Sequence, residues 1–357
     1  MTTGEKLELL KSVGEEIITE NELKDLLSSD EKLISYDGFE PSGQMHIGQG
    51  ILRTININKL IKAGIKFKML VADWHAFANK KMCGDLEKIK TVGKYFIEVW
   101  KAAGLDMENV EFVWASDLVK DTDYWKLVLQ IATTNSLRRF IRTAEIMGRE
   151  ESLDLSAAQI IYSCMQTADI FTLGAKITQL GSDQRKINVL AREIGPQLGF
   201  WKPVIISHHM ILGLGKPPES KDTIKKVAKL KMSKSKPDSA IFMTDTKTEV
   251  EEKISKAWCP IGETEQNPIL EYFKYIVFEK FDEISIKRSE KFGGEISISS
   301  FNKLKEQYEE KKIHPEDLKI TLSSYINEIL DPIRIHFEKN PYAKSLLKEV
   351  KSFKVTR

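Results

Sequence analysis

Three short apolar segments, separated by helical patterns, constrain the fold of this chain most strongly. They cover residues 33–39, 66–72 and 110–114, and the stretches 46–63 and 86–103 between them have the periodicity of helices. Strands that alternate with helices form parallel sheets with helices on both faces, so we expect an α/β, Rossmann-like doubly wound sheet. In such folds ligands bind at the carboxyl ends of the strands.

The pattern changes toward the carboxyl terminus. A stretch rich in Gly, Pro and Lys at 213–237 is followed mostly by helical patterns at 250–258, 269–275, 301–312 and 315–330. A chain of 357 residues exceeds the usual size of one domain. We therefore predict a helical amino-terminal arm at 1–30, the α/β domain at 31–247 and a helical domain at 248–357.

Charge balance, cysteine spacing and the lack of long apolar runs argue against a strongly basic nucleic-acid-binding protein, a zinc or redox protein and a membrane protein. The 54 Lys and Arg residues are nearly balanced by 52 Asp and Glu residues, so any nucleic acid must be bound by local patches. The three cysteines, Cys83, Cys164 and Cys259, lie far apart in the sequence, and their spacing matches no zinc or redox motif. This predicts a reducing compartment and no metal site. The amino terminus lacks signal-peptide character and no long apolar run occurs. We expect a cytoplasmic protein without membrane contact.

A nucleotide-binding turn is indicated after the first strand, where His46-Ile47-Gly48-Gln49 opens a helix. Gly48 permits close approach of a ligand to the backbone, and the free N–H groups of a helix start attract anionic oxygen. His46 can donate to a phosphate as charge develops. An ordinary strand-to-helix turn has the same local pattern.

A second motif, Lys231-Met232-Ser233-Lys234-Ser235, lies in the long Gly-, Pro- and Lys-rich stretch. Lys231 and Lys234 can stabilise a departing pyrophosphate more strongly in the transition state than in the ground state. A solvated lysine-rich loop is the alternative.

A third pattern places Tyr162, Gln166 and Asp169 on one face of a helix, which faces either water or a pocket.

Three segments together resemble the tyrosyl-tRNA synthetase family of the archaeal and eukaryotic cytoplasmic type: residues 36–49, Gln184-Arg185-Lys186 and Lys231–Ser235. The resemblance extends over roughly residues 30–340. Gln49 departs from the family pattern, which has a second histidine there. The resemblance implies that tyrosine is activated with ATP and transferred to the 3′ end of tRNA(Tyr), with Mg²⁺ accompanying ATP and no tightly bound cofactor. The region 31–247 is then the catalytic domain, and 248–357 binds the anticodon.

The resemblance also implies roles for individual residues. Tyrosine is expected to contact Tyr36, Tyr162, Gln166, Asp169 and Gln184. ATP is expected to contact His46, Gly48, Met210, Lys231, Met232, Ser233, Lys234 and Ser235, of which His46, Gly48, Lys231 and Lys234 are the catalytic set. Tyr36 and Asp169 are expected to bind the phenolic hydroxyl, and Asp73 and His75 to shape the wall of the crevice.

In the helical domain, Phe292, His314 and Asp317 are expected to bind the anticodon, although His314-Pro315-Glu316-Asp317 is also a good helix start. The family implies a homodimer, with an interface near the helix that the periodicity predicts over residues 124–147. Arg138, Arg139 and Arg142 could contact the acceptor stem or simply lie on an exposed helix.

Two alternatives stay open at this point. A tryptophanyl-tRNA synthetase shares the fold and both motifs, but an indole does not need the paired Tyr36 and Asp169. A catalytically silent relative that binds RNA or protein is the second alternative, and eroded motifs would be expected there.

Overall fold

The computed structural model describes residues 1–143, 155–217, 232 and 237–353. In the first 217 residues the helices are α1 (Thr3–Lys11), α2 (Glu20–Ser28), α3 (Ile47–Lys62), α4 (Asp73–Ala78), α5 (Leu86–Ala102), α6 (Ala115–Leu118), α7 (Thr122–Thr133), α8 (Leu137–Thr143), α9 (Ala157–Thr172) and α10 (Arg185–Ile194). The strands are β1 (Glu16–Ile18), β2 (Ile34–Phe39), β3 (Lys66–Val71), β4 (Val110–Trp114), β5 (Ile177–Thr178) and β6 (Val204–Ser207).

These strands form one sheet in the order β1-β6-β5-β2-β3-β4. All neighbouring pairs are parallel except β1 with β6, which is antiparallel. One apolar core includes residues of α3 and α5, and a second includes residues of α7, α9 and α10. Two separate cores are the expected result of helices on both faces of the sheet, so the prediction of a doubly wound α/β fold is confirmed.

The two helices that carry most of the predicted site begin in different ways. His46 is the residue before α3, with extended backbone angles and no capping bond from its side chain to the helix. Ser156 caps α9 through a capping box with Gln159. Such a cap satisfies N–H groups that the first turn leaves unpaired, and it fixes where α9 starts.

The sheet differs from the prediction at two places. The amino-terminal arm is not only helical, because Glu16–Ile18 adds a strand to the edge of the sheet between α1 and α2. The two-residue strand Ile177–Thr178 lies between β2 and β6 and was not predicted. The helix expected over 124–147 is two helices, α7 and α8, and its last residues lie outside the described part of the chain.

The carboxyl-terminal part is mostly helical, as predicted. Its elements are α11 (Lys247–Lys256), α12 (Pro268–Tyr272), a π-helical turn (Phe273–Val277), β7 (Ile284–Ile286), β8 (Ile296–Ile298), α13 (Phe301–Glu309), α14 (Pro315–Lys339) and α15 (Pro341–Ser352). The antiparallel pair β7–β8 and α15 were not predicted. The division of the chain at residues 30 and 247 stays a prediction.

Candidate active site

A cavity of about 270 Å³ opens where β2 and β6 end and α3 begins. Many of the predicted site residues line it: His46, Gly48, Tyr162, Gln166, Gln184, Met210 and Met232. A larger cavity of about 550 Å³ lies elsewhere, between residues 237–256 and Lys351, and contains none of them. We take the smaller cavity as the functional one, because it lies at the carboxyl ends of parallel strands.

Asp169 is the most deeply buried polar group of the predicted tyrosine site. It is fully buried, and its two carboxylate oxygens face different partners. The hydroxyl of Tyr124 donates to Oδ1 at 2.9 Å, and Nε2 of His75 lies 2.9 Å from Oδ2. Burial is the largest single influence and lowers the pKa of His75, but the charge and hydrogen bonding of Asp169, together with the charges of Glu40 and Asp73, outweigh burial and raise that pKa.

Tyr36 lies close to the same carboxylate. Its side chain is only 1% exposed. Burial raises its pKa well above the ordinary value, the negative charge of Asp169 raises it further, and a hydrogen bond with Gln166 opposes the shift. Tyr36, Gln166 and Asp169 therefore lie close together as one buried polar group.

The face of α9 that carries Tyr162, Gln166 and Asp169 is turned away from water. Tyr162 and Gln166 are each 8% exposed, which excludes the alternative that this face is solvated. The amide of Gln166 donates to Oε1 of Gln184 at 3.1 Å, and the hydroxyl of Tyr162 donates to Oε1 of Glu40 at 2.8 Å. These side chains form a polar rim between the buried Asp169 and the open part of the cavity.

The other side of the cavity is the predicted nucleotide side. A Cβ atom on Gly48 would lie 3.3 Å from Nδ1 of His46 and 3.8 Å from Cε of Met232, so a larger residue would crowd this helix start. The hydroxyl of Tyr272 lies 3.8 Å from Sδ of Met232, within the range of an O–H···S hydrogen bond. Lys231, Ser233, Lys234 and Ser235 lie outside the described residues.

A buried charged network that was not predicted from the sequence forms part of the cavity lining, through Asp37, Arg53 and His208. Arg53 is 1% exposed, and it contacts Oδ2 of Asp37 at 2.7 Å and Nδ1 of His208 at 3.0 Å. It also donates to the carbonyl oxygen of Gln179 at 2.9 Å. Burial raises the pKa of Asp37 to about 6 despite Arg53, and burial together with Arg53 lowers the pKa of His208 well below its ordinary value.

Tyr124 and Glu40 are the other site residues that were missed. Tyr124 is one of several apolar or aromatic residues on the buried face of α7, and only the packing of α7 on α9 brings its hydroxyl to Asp169. Glu40 directly precedes the turn at Pro41, where acidic residues are common without any catalytic role. Its contacts with Tyr162, Asn79 and Lys81 are all distant in sequence. Neither residue had a local signal.

The predicted anticodon residues lie in the helical part. His314 caps α14 and accepts a hydrogen bond at Nδ1 from the N–H of Glu316, with Asp317 in the first turn, so the helix-start reading is confirmed. The side chain of Phe292 lies outside what the structure describes. Among the three arginines considered for the acceptor stem, Arg139 forms an ion pair with Glu193.

The family model described as "tRNA synthetases class I (W and Y)" matches residues 28–331. Tyrosine–tRNA ligase 1, cytoplasmic, of Arabidopsis thaliana is 50% identical over 355 residues, which cover 99% of this chain and 89% of the relative. Tyrosine–tRNA ligase 2, cytoplasmic, of the same plant is 51% identical, but the chain spans only 46% of its length. The crystal structure of a tyrosyl-tRNA synthetase with L-tyrosine from Pyrococcus horikoshii is similar, with a TM-score of 0.91, 38% identity and 98% and 100% of the two chains covered.

The family model and the similar fold of the solved structure define this chain as a class I aminoacyl-tRNA synthetase, a class that uses ATP. Within that class, the matches over nearly the whole chain place it more narrowly: the chain belongs to the tyrosyl-tRNA synthetase family. None of the helices in the described ranges is both long and apolar enough to cross a membrane.

Proposed function

We propose that this chain activates L-tyrosine with ATP and transfers the tyrosyl group to the 3′ end of tRNA(Tyr). The observation that carries the proposal is the buried carboxylate of Asp169, which contacts Tyr124 and His75. Asp169 does not itself line the cavity, but it follows Tyr162 and Gln166, which do, on the same face of α9. A phenolic hydroxyl can donate to this carboxylate, whereas phenylalanine would leave it without a ligand partner. A buried polar group without its partner is a strong basis for discrimination.

The remaining predicted tyrosine ligands fit the other end of the substrate. Tyr162, Gln166 and Gln184 form the polar rim and would hold the ammonium group, while Tyr36 would share the phenolic hydroxyl with Asp169. In this orientation the substrate carboxylate points toward the open part of the cavity, beside His46 and Gly48. These roles are assigned from the family resemblance and are supported by the grouping of the side chains.

The first reaction step needs positioning more than a new reactive group, because the substrate carboxylate is already a nucleophile. One of its oxygens attacks the α-phosphorus of ATP, and the bond to pyrophosphate breaks. The start of α3 and His46 would stabilise the developing negative charge, and Lys231 and Lys234 would follow the departing pyrophosphate. Mg²⁺ would arrive with ATP, as is usual for enzymes that bind nucleoside triphosphates.

We further propose a cytoplasmic homodimer that binds the anticodon through residues 248–357. Apolar side chains on α7 and α8 support the interface predicted near residues 124–147, since Leu129 is 66% exposed and Leu137 is 58% exposed. Trp125 on α7 and Ile161 on α9, a helix that packs on both α7 and α8, are exposed as well. Exposed apolar residues that cluster on one face mark protein interfaces more often than single ones do.

The test is tyrosine-dependent exchange of pyrophosphate into ATP, measured with each of the twenty amino acids in turn. Tyrosine alone is expected to stimulate exchange, and aminoacylation of tRNA(Tyr) is expected to follow. Stimulation by tryptophan would favour a tryptophanyl enzyme. Stimulation by none of them, from a protein that binds tRNA, would favour a catalytically silent relative.

A further inference from the structure

His209 lines the nucleotide cavity and also contacts two other parts of the chain. It follows β6 and lines the cavity together with Met210 and Ile211. Its Nδ1 lies 3.1 Å from Oε1 of Glu15, and its Nε2 lies 3.1 Å from Oε2 of Glu271. Both ring nitrogens therefore lie within ion-pair distance of a carboxylate, and Nδ1 also forms a hydrogen bond with Glu15. Two carboxylates on opposite sides of the ring suit the imidazolium form, which carries a proton on both nitrogens.

The two carboxylates come from opposite ends of the sequence. Glu15 immediately precedes β1 in the amino-terminal arm, and Glu271 lies in α12 of the helical carboxyl-terminal part. The imidazole also stacks on the ring of Tyr275, with the ring centroids 4.5 Å apart and the planes inclined by 12°. One side chain thus connects the arm, the α/β sheet and the helical part.

Glu271 also fixes the backbone of the cavity wall. Its Oε2 accepts a hydrogen bond from the N–H of Leu212 at 2.9 Å. The same oxygen therefore contacts both ends of the segment from His209 to Leu212. This segment includes Met210, one of the residues predicted to contact ATP. A change at His209 or Glu271 would move this wall.

The surrounding charges favour a cation at His209. Burial lowers its pKa, but the carboxylates of Glu15 and Glu271 outweigh this and raise the pKa to about 9. The other titratable groups nearby are Tyr275, whose own pKa is raised by burial, Lys274, whose charge lowers the pKa of Glu15, and His208, whose pKa is well below the ordinary value. Near neutral pH, His209 is therefore protonated and His208 is neutral.

We propose that His209, as a cation held between Glu15 and Glu271, is a positioning residue for ATP that ties the amino-terminal arm and the helical part to the wall of the nucleotide cavity. This inference rests on the proposed function, because it takes ATP as the ligand of the cavity. Since the tyrosine end of the cavity is formed by α9 and β2, the position of the His209–Leu212 wall affects ATP and leaves tyrosine binding unchanged.

The test is the variant His209→Gln in the full chain, which keeps hydrogen-bonding groups but loses the charge. In pyrophosphate exchange at neutral pH, we expect KM for ATP to rise roughly tenfold and KM for tyrosine to change less than about twofold. The expected pH dependence has a definite sign. Wild-type KM for ATP should rise as the pH passes about 9, where His209 loses its proton, whereas the variant should already be high and show no such rise.

His336→Gln is the matched control. His336 forms a comparable pair, with Nε2 2.9 Å from Oε2 of Glu98, and is 25% exposed against 21% for His209, but it does not line the cavity. The control should leave the ratio of the two KM values unchanged. Glu271→Gln is a second test variant should His209→Gln fold poorly, and it should raise KM for ATP in the same way.

Three results would overturn the inference: an equal rise of both KM values in His209→Gln, the same effect in His336→Gln, or a variant whose pH profile follows the wild type. Failure of the proposed function would look different, because the wild type would then show no tyrosine-dependent exchange. In that case, calorimetric titration with ATP still decides the matter, since only His209→Gln and Glu271→Gln should bind ATP more weakly than His336→Gln.

Discussion

Asp169 is contacted from two directions, by the hydroxyl of Tyr124 and by the imidazole of His75. Holding a buried carboxylate in one orientation reduces the reorganisation required when a substrate hydroxyl arrives. In such an ordered site, a substrate without the phenolic hydroxyl leaves the carboxylate of Asp169 without a ligand partner and therefore binds less well. For this reason changes at Asp169 should affect the choice of amino acid more than they affect ATP.

Asp169→Asn keeps the size of the side chain and removes its charge. We expect kcat/KM for tyrosine to fall roughly 10²- to 10³-fold, with a much smaller loss for phenylalanine, because phenylalanine never used the carboxylate. KM for ATP should stay nearly constant. Exchange kinetics with both amino acids measure this, and equal losses for tyrosine and phenylalanine would remove Asp169 from the specificity site.

Tyr124→Phe tests the support of Asp169 without changing a predicted ligand. The substitution removes one hydroxyl and its 2.9 Å bond to Oδ1. We expect a loss of roughly fivefold to twentyfold in kcat/KM for tyrosine, in line with one buried hydrogen bond to a charged group. An unchanged constant, with the fold intact by circular dichroism, would show that His75 alone is sufficient.

At the scale of single elements, α5 packs unusually closely on the sheet. A Cβ atom on Gly93 would lie 2.7 Å from Cη2 of Trp114 and 2.8 Å from Cγ1 of Val71, so only glycine fits there. Gly93→Ala should lower the free energy of unfolding by about 1–3 kcal/mol, because the overlap outweighs the better helix propensity of alanine.

Gly4→Ala in α1 is the matched control, since an added Cβ would meet only Oγ1 of Thr2, at 4.0 Å. It should stabilise the protein slightly, by up to about 1 kcal/mol. Chemical denaturation of both variants measures the difference. A stable Gly93→Ala protein would mean that α5 can move away from the sheet without loss.

The elements that could be predicted were those with a strong local pattern. Strands β2, β3 and β4 are apolar runs between turns, and they occur where expected. β1 and β5 have only three and two residues, too few for any periodicity, and they exist because the sheet pairs with them. Short strands are set by tertiary contacts and not by their own residues.

The residues of the site also divide into those that the sequence could predict and those that it could not. The spacing of Tyr162, Gln166 and Asp169 on one helix is visible in the sequence, and all three are buried together. The pair of Asp37 with Arg53 and the bond from Tyr124 to Asp169 join residues far apart in the sequence. No local pattern could reveal them, because only the order of the strands and the packing of the helices bring their partners close.

At the scale of the whole molecule, the exposed apolar side chains on α7 and α8 lead to a prediction about assembly. Leu129→Glu combined with Leu137→Glu should convert the proposed dimer to a monomer, raising its dissociation constant at least about 100-fold, because charges would be buried without partners. Sedimentation velocity measures this. Ile320→Glu on α14, where the isoleucine is 65% exposed, is the control and should stay dimeric.

The antiparallel pairing of β1 with β6 also bears on how the chain assembles during synthesis. Ile17 lies opposite Ile206, so an early-made segment completes the sheet against one that leaves the ribosome much later. Such a pairing raises the contact order and slows the search for the native topology. The first strand to be translated is therefore among the last to find its place, and until then that border of the nascent sheet is open to unwanted partners.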